Sequence, residues 1–217
     1  MLNTTRPGGY FITGTDTEIG KSHIACALAM GLLQQGYQVA VRKPIASGCL
    51  KQPDGSLLSE DAYRLQQASQ TKDSLQTICP YQFEAAISPA RAIRQANQPI
   101  GLADLVQACQ APASHFLLVE GAGGFLSPLC DNALNADLAK QLALPIILVV
   151  GNKLGCINHA LLTLQAIQQR HLSLAAIVLN DLSQQSDPDN LTDLKNLLPN
   201  QQLIHHPYQT QLSSIRL

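Results

Sequence analysis

The chain has 217 residues, which is enough for one large α/β domain with its own core. Hydrophobic residues make up 46% and charged residues 13%, so the composition is that of a globular protein and not of a disordered one. Lys and Arg number 14 against 15 Asp and Glu, and no run of basic residues occurs. This balance argues against nucleic acid or a membrane surface as a partner.

The cysteines and the hydrophobic runs indicate a cytoplasmic protein. The six cysteines are spaced singly, without a Cys-x-x-Cys pair, which argues against a zinc site or a redox dithiol. Free thiols are typical of a reducing cytoplasm. Residues 1–10 lack the apolar segment of a signal peptide, and the apolar run at 144–150 is too short to cross a bilayer.

Short β-rich runs alternate with longer helical stretches along the chain. The predicted strands are residues 10–13, 38–42, 115–119, 146–150, 175–179 and 202–205. The predicted helices are residues 21–35, 59–70, 90–97, 102–110, 135–142, 157–170 and 188–198. Residues 44–58 are predicted as a loop and 71–89 as irregular. This order predicts an α/β fold, namely a doubly wound, mostly parallel sheet with helices on both faces.

The first predicted strand leads into a phosphate-binding loop with the sequence Gly-Thr-Asp-Thr-Glu-Ile-Gly-Lys-Ser, Gly14 to Ser22. Gly20 allows the backbone to close around a phosphate, and Lys21 supplies a positive charge to the β- and γ-phosphates. The Ser22 hydroxyl is suited to Mg²⁺. Thr15 stands where such loops usually place their first glycine. The alternative is a polar strand-to-helix turn with a surface lysine.

Polar side chains follow the other predicted strands, where the ligands of open α/β sheets bind. Glu120 is a candidate ligand for Mg²⁺, with a turn-capping role as the alternative. Asp61 also fits a metal site, although an acid early in a helix stabilises the helix dipole without any ligand. The amide of Asn180 matches the adenine edge, but an asparagine there also fits a simple turn. Lys43 follows the second strand.

Two further motifs near the C-terminal half carry alternatives. Gly155 to Asn158 open a helix whose free N–H groups could bind a carboxylate, although Asn158 also suits an ordinary helix start. Cys156 fits a packing role better than a nucleophilic one, because no basic residue is adjacent. His205 and His206 suggest a metal pair, but neighbours on a strand point to opposite faces.

Taken together, these segments resemble the dethiobiotin synthetase family over residues 10–209. The Thr15 spacing is itself a mark of that family, and Asp61 and Asn180 with Asp181 occur in the expected order. The matching segments are Gly-Thr-Asp-Thr-Glu-Ile-Gly-Lys-Ser at 14–22, Lys-Pro-Ile-Ala-Ser-Gly at 43–48, Glu-Gly-Ala-Gly-Gly at 120–124 and Gly-Asn-Lys-Leu-Gly-Cys-Ile-Asn-His at 151–159.

The resemblance implies an ATP-dependent cyclo-ligase of biotin biosynthesis, formed as a single P-loop ATP-binding synthetase domain over residues 1–217. Such enzymes join CO₂ to 7,8-diaminononanoate and release dethiobiotin, ADP and phosphate. The route passes through a carbamate and a carbamic-phosphoric anhydride. The implied ligands are therefore ATP, Mg²⁺, CO₂ or bicarbonate and a diamino fatty acid, and the implied assembly is a homodimer.

The resemblance also implies roles for individual residues. The catalytic residues are Lys43, Lys21 and Thr17. The substrate contacts are Ser47 and, from the partner subunit at a helix start, Gly155, Cys156 and Asn158. The Mg²⁺ positions are Ser22, Asp61 and Glu120. The ATP contacts are Glu18, Ile19, Gly20, Lys21, Ser22, His23, Asp61, Glu120, Gly121, Ala122, Gly123, Asn180, Asp181, Pro207, Tyr208 and Gln209.

Rival functions remain open at this point. A switch ATPase of the partitioning or division-site type would have the same fold, but it places a second lysine where this chain has Asp16. Another ligase of the same superfamily, or a non-catalytic nucleotide-binding relative, would share the loop as well. The Lys43 to Gly48 and Gly155 to Asn158 segments favour the synthetase.

Overall fold

The computed structural model describes residues 8–209 and 212–217. The predictions for residues 1–7, and the parts of the predicted single domain at 1–7 and 210–211, lie outside the described residues. The strands are β1 Gly9–Gly14, β2 Val39–Arg42, β3 Ile45–Ser47, β4 Leu50–Lys51, β5 Leu57–Leu58, β6 Tyr81–Phe83, β7 Phe116–Glu120, β8 Pro128–Cys130, β9 Ala133–Leu134, β10 Ile146–Asn152, β11 Leu174–Asp181 and β12 Leu203–His206. The helices are α1 Lys21–Gln34, α2 Glu60–Ser69, α3 Leu75–Ile78, α4 Pro89–Gln95, α5 Leu102–Ala108, α6 Asn135–Leu142, α7 Cys156–Gln169 and α8 Asp189–Leu197.

Six of these strands form one parallel sheet in the order β12-β11-β10-β1-β7-β2. β1 lies in the interior, with Gly14 beside Val149 of β10 and Ile12 beside Glu120 of β7. The carboxyl ends of β1, β7 and β10 therefore meet at the middle of one edge of the sheet. The doubly wound, mostly parallel fold predicted from the sequence is confirmed.

Both faces of the sheet are covered, as the continuous apolar run at residues 146–150 predicts. Ile147 and Val149 belong to the core shared with α1, α2 and α3. Leu148 and Val150 point the other way, into the core shared with helices α4 to α8. All five residues of this run are fully buried. Helices on each side thus hold the central strands, and the loops after those strands, in fixed positions.

The predicted loop at 44–58 and the predicted irregular segment at 71–89 are wrong in part. The first contains β3, β4 and β5, and the second contains α3 and β6. β3 pairs with β6 in parallel, and β4 with β5 as a hairpin. Pro44 lacks a backbone N–H and separates β2 from β3, which breaks the strand pattern. Strands of two or three residues are too short to show an alternation, so the sequence did not reveal them.

None of the helices in residues 8–209 and 212–217 has the length and hydrophobicity needed to cross a membrane. All six cysteines are free and buried. Burial raises the pKa of Cys26, Cys79 and Cys109 to about 12, so these thiols stay protonated. They serve as small packing residues in the core.

Candidate nucleotide-binding and catalytic site

The phosphate-binding loop occupies the turn between β1 and α1, as predicted. The last residue before α1, Gly20, adopts a left-handed conformation with φ 88° and ψ 26°, which glycine reaches without strain. A Cβ atom at this position would collide with the amide nitrogen of Asn180. The Nδ2 of Asn180 donates to the backbone carbonyl oxygen of Ile19 at 3.0 Å, so β11 supports the loop from outside.

Lys21 is the first residue of α1, and its side chain turns back across the loop. Its Nζ donates to the backbone carbonyl oxygen of Asp16 at 2.6 Å. Burial lowers the pKa of Lys21 to about 8, although the negative charge of Glu120 partly opposes that shift. The ammonium group is thus held, poorly hydrated, beside the free N–H groups of a helix start, where an anion binds well.

A second cluster of charged and polar groups lies beside the loop and joins residues of α1, α2, β7 and the segment after β2. The Oγ of Ser22 donates to Glu120 Oε1 at 2.7 Å, and Lys43 Nζ donates to the same oxygen at 2.6 Å. Lys43 Nζ also lies 2.9 Å from Oδ2 of Asp61. Lys43 is 5% exposed and Glu120 is 1% exposed. The four residues singled out from the sequence therefore meet at one point.

The carboxylates keep Lys43 charged in spite of its burial. Burial alone would lower the pKa of Lys43, but the charges of Glu120 and Asp61 outweigh it and hold that pKa above its ordinary value. Burial likewise raises the pKa of Asp61, but the charge of Lys43 and its hydrogen bond bring it below the usual range. A buried cation is thereby fixed at the end of β2.

One oxygen of Glu120 is left without a partner. Its Oε2 is buried and accepts no hydrogen bond from any described residue, and an unpaired buried oxygen is costly. The Ser22 hydroxyl donates to Oε1 of the same carboxylate. The Asp61 carboxylate contacts Lys43, which also contacts that Oε1. Hard oxygen ligands of this kind suit Mg²⁺, which keeps several of its waters and needs few protein ligands. Two side chains of this cluster, Asp61 and Glu120, are acidic, and the described residues contain no group of three or more His, Cys, Asp or Glu side chains that could hold a metal.

These groups open into a cleft of about 570 Å³, a size typical of small-ligand sites. Twelve of its lining residues were predicted from the sequence: Thr17, Glu18, Gly20, Lys21, Ser22, His23, Lys43, Ser47, Asp61, Glu120, Ala122 and Gly123. Arg64 also lines the cleft, and the sequence analysis missed it. It lies three residues after Asp61 on α2, a spacing that brings both side chains to the same side of a helix.

A smaller pocket of about 210 Å³ adjoins the cleft and shares Glu18, Gly20 and His23 with it. The predicted base contacts line this pocket: Asn180, Asp181, Pro207, Tyr208 and Gln209. Tyr208 is half exposed. The segment after β12 thus faces the loop between β1 and α1, and the cleft continues from the phosphate loop to a separate side pocket.

Some predicted ATP contacts lie elsewhere or are already engaged. The side chain of Ile19 is buried in the core, and Gly121 packs against the Asn135 amide, so neither lines the cleft. Both carboxylate oxygens of Asp181 are engaged, one by Asn152 at 2.7 Å and one by His205 at 2.9 Å. Asn152 gave no sign of such a role, because sequence spacing does not reveal a contact between strands.

The predicted helix-start contacts do not line the cleft of their own chain. Gly155 and Asn158 are exposed at the beginning of α7, and Gly155 has a φ of 86°. The side chain of Cys156 is 1% exposed and belongs to the core, which agrees with a packing role. None of these three residues lines the cleft or the pocket that adjoins it.

The strand–loop–helix with its buried lysine, and an acid at the end of the neighbouring strand, define a P-loop nucleotide-binding protein. Comparison with solved structures agrees at the level of the fold. A ParA family ATPase from Chlorobium tepidum superposes with a TM-score of 0.55 at 16% identity, covering 93% of this chain and 84% of that one. The signal recognition particle receptor FtsY from Elizabethkingia anophelis, in complex with GDP, gives 0.52 at 13% identity, with 100% and 62% covered. A family model described as an AAA domain matches residues 8–216.

Curated relatives narrow this class to one family. The ATP-dependent dethiobiotin synthetase BioD of Pseudescherichia vulneris is 45% identical, covering 88% of this chain and 80% of the relative. BioD 1 of Escherichia coli K12 is 43% identical, with 88% and 86% covered. BioD of Idiomarina loihiensis is 40% identical, with 92% of each covered. The chain belongs to the dethiobiotin synthetase family, which confirms the resemblance found in the sequence.

Proposed function

We propose that this chain is an ATP-dependent dethiobiotin synthetase, which carboxylates 7,8-diaminononanoate and closes its ureido ring. The observation that carries the proposal is the position of Lys43. Its ammonium is buried between Asp61 and Glu120 and lines the same cleft as the phosphate-loop lysine, Lys21. A reaction between two anions, a carbamate and a phosphoryl group, requires two such cations in one place.

ATP occupies the cleft and its side pocket in this proposal. The triphosphate binds at the start of α1, where Lys21 and the helix N–H groups supply positive charge. The base enters the pocket lined by Asn180 and Pro207 to Gln209, and Tyr208 packs on the purine. Asn180 has its carbonyl oxygen left for the base, because its Nδ2 is engaged by the loop.

Ser22, Asp61 and Glu120 would hold Mg²⁺, and the unpartnered Glu120 Oε2 supports that assignment. When bound, this ion neutralises the negative charge of the phosphoryl oxygens. Lys43 pairs with both carboxylates and lines the same cleft as Lys21, so its ammonium would be available to a phosphoryl group bound there.

The reaction needs positioning and charge neutralisation more than covalent catalysis. One substrate amine takes up CO₂ as a carbamate, whose negative charge Lys43 and Lys21 stabilise. A carbamate oxygen attacks the γ-phosphorus and ADP leaves, which yields the carbamic-phosphoric anhydride. The second amine then attacks the carbonyl carbon, phosphate leaves, and the ring closes. Thr17 and Ser47 line the cleft and are suited to orient the substrate.

We further propose that the enzyme acts as a homodimer, in which α7 supplies the substrate carboxylate site of the partner. Two observations support this assembly. Gly155 and Asn158 are exposed and away from their own cleft. Leu126 and Leu162 are half exposed and line a common surface depression, and Leu154 is fully exposed nearby along the chain. A patch of exposed leucines is typical of a protein–protein interface.

The residue at position 16 argues against the switch-ATPase alternative. Asp16 stands where that class has its second lysine, and it accepts from the backbone N–H of Thr17 and from Lys153 at 3.2 Å. The backbone hydrogen bond is the main cause that lowers the pKa of Asp16. A carboxylate cannot supply the positive charge that the switch ATPases need at this place.

Phosphate release tests the proposed function directly. Purified protein is incubated with MgATP and bicarbonate, with and without 7,8-diaminononanoate, and both phosphate and dethiobiotin are measured. We expect release that depends on the diamine and on bicarbonate, with one dethiobiotin formed for each phosphate. Slow release that ignores the diamine would reject the synthetase and favour a switch ATPase or another ligase.

A further inference from the structure

Strand β12 carries two neighbouring histidines that the reaction does not use. His206 is buried, whereas His205 is exposed on the other side of the strand. Both stand directly before Pro207 to Gln209, the segment that lines the side pocket. Neither histidine lines that pocket or the cleft itself. Any influence on the nucleotide must therefore pass through the segment that follows them.

His206 ties β12 to the helix that carries the phosphate loop. Its Nε2 lies 2.9 Å from Nε2 of His23, so one ring donates and the other accepts. The two rings are 5.0 Å apart between centroids. His23 is the third residue of α1, and it lines both the cleft and the side pocket. This contact links α1, which begins at the phosphate loop, to the strand that leads into the base pocket.

His205 ties the same strand to the opposite side. Its Nε2 lies 2.9 Å from Oδ2 of Asp181, at the end of β11. The other oxygen of Asp181 accepts from Nδ2 of Asn152 at 2.7 Å. Asn152 is itself buried, and its Oδ1 accepts from Nδ2 of Asn190 on α8 at 2.8 Å. This chain of contacts anchors β12 to β10, β11 and α8.

We propose that His205 and His206 are positioning residues for the nucleotide base: together they clamp β12 from both faces and so hold Pro207 to Gln209 against the base pocket. The inference rests on the proposed ATP site, which it deepens. Because the clamp acts on the base end, it contributes to the affinity for ATP and leaves the capture of the phosphates to α1.

The test compares two ligands that differ at the base end. ATP and inorganic tripolyphosphate are titrated by calorimetry, each with Mg²⁺, into wild type, His206→Leu and His206→Gln. Loss of one neutral hydrogen bond predicts ATP affinity about threefold to tenfold weaker in His206→Leu. Tripolyphosphate affinity should not change, because it has no base. Glutamine can replace the Nε2 contact and should restore most of the ATP affinity. His115→Leu, directly before β7, is the matched control and should match wild type for both ligands.

Kinetics supply the second measurement. In His206→Leu the KM for ATP should rise by the same factor while kcat at saturating ATP and the KM for the diamine stay at wild-type values. An equal loss of ATP and tripolyphosphate affinity, or no loss of either, would overturn the clamp. If His206→Leu does not fold, His205→Leu removes the contact with Asp181 instead, and the same comparison of ATP with tripolyphosphate affinity tests the clamp.

Binding is measured without turnover, so the two proposals can fail separately. A protein that binds ATP but makes no dethiobiotin would overturn the proposed reaction, and the two titrations would still test the clamp.

Discussion

Lys43 has a structural task besides the chemical one that we propose for it. It is the cation that compensates Glu120, a carboxylate that is almost completely buried. Removing one partner of a buried ion pair leaves an uncompensated charge, which commonly costs about 3 to 5 kcal/mol. The contact between Lys43 and Glu120 therefore stabilises the protein without any ligand, whatever its part in the proposed reaction.

Lys43→Ala should abolish dethiobiotin formation and lower the free energy of unfolding by about 3 kcal/mol, measured by urea denaturation. The double variant Lys43→Ala with Glu120→Gln is the control, since it removes the unpaired charge. It should recover most of the stability and none of the activity. Substantial turnover by Lys43→Ala would remove this lysine from the mechanism.

Lys21 predicts a pH dependence of nucleotide binding. Burial lowers its pKa to about 8 in the free enzyme, and bound phosphates favour the charged amine. Below that pH the amine is already protonated, and above it the amine must gain a proton when ATP binds. ATP affinity should therefore fall as the pH rises through 8. Calorimetry in buffers of different ionisation enthalpy should detect proton uptake at pH 8.5 and far less at pH 7. Equal uptake at both pH values would contradict this assignment.

At the scale of single residues, the sequence predicted those that chemistry requires by type. Lys21, Ser22 and Glu120 were proposed because a lysine, a hydroxyl and an acid at strand ends suit a phosphate and its metal ion, whereas the role of Lys43 was predicted from the family resemblance. Asn152 was missed because its contacts depend on which strands become neighbours. A motif names residues in sequence, whereas the contact between Asn152 and Asp181 exists only after β10 and β11 pair.

At the scale of secondary-structure elements, the turns that follow the strands position the residues of the site. The turn between β1 and α1 depends on Gly20, whose positive φ strains any other residue. The longer strands and helices were predicted because their periodicity extends over several residues. The short strands β3 to β6 were not, because pairing with each other and not alternation defines them.

Gly20→Ala and Gly36→Ala form a matched pair of variants. Both introduce backbone strain, but only Gly20→Ala also disturbs the phosphate loop. Both glycines have φ near 85° to 88°, so alanine is strained at each and should cost about 1 kcal/mol of stability. A Cβ at Gly20 meets the Asn180 amide, whereas at Gly36 it meets no described atom within 4 Å. ATP binding by calorimetry should be lost in Gly20→Ala and kept in Gly36→Ala. Similar binding by the two variants would show that the loop tolerates the added carbon.

At the scale of the whole molecule, the site lies at the carboxyl ends of the interior strands of the sheet, and a leucine patch lies on the surface. The alternation of strands and helices predicted the parallel sheet, since a parallel connection requires a crossover helix. The assembly of two chains was expected only from the resemblance, because one sequence does not show which exposed leucines meet a partner. Leu126 and Leu162 became a candidate interface only once their shared depression was visible.

Leu162→Arg should weaken the proposed homodimer and reduce dethiobiotin formation, because each site would then lose the helix start that we propose its partner supplies. Sedimentation velocity measures the mass, and the KM for the diamine should rise while ATP binding is kept. Leu197→Arg is the matched control, as Leu197 is about equally exposed on α8. A Leu162→Arg protein with wild-type mass and KM would place the interface elsewhere.

The interior position of β1 has a consequence for the order of events during synthesis. β1 ends at Gly14, but its neighbours β7 and β10 begin only at Phe116 and Ile146. A ribosome adding about 5 to 20 residues per second needs roughly seven to twenty-six seconds to progress from the end of the first strand to the start of the last of these. The phosphate loop is therefore translated early but can bind a nucleotide only late. A nascent chain that ends before β10 lacks a strand that pairs with β1, so the loop is not yet held in the geometry that binds ATP. Pairings so distant in sequence also slow folding, so the nucleotide site is among the last parts of the newborn protein to form.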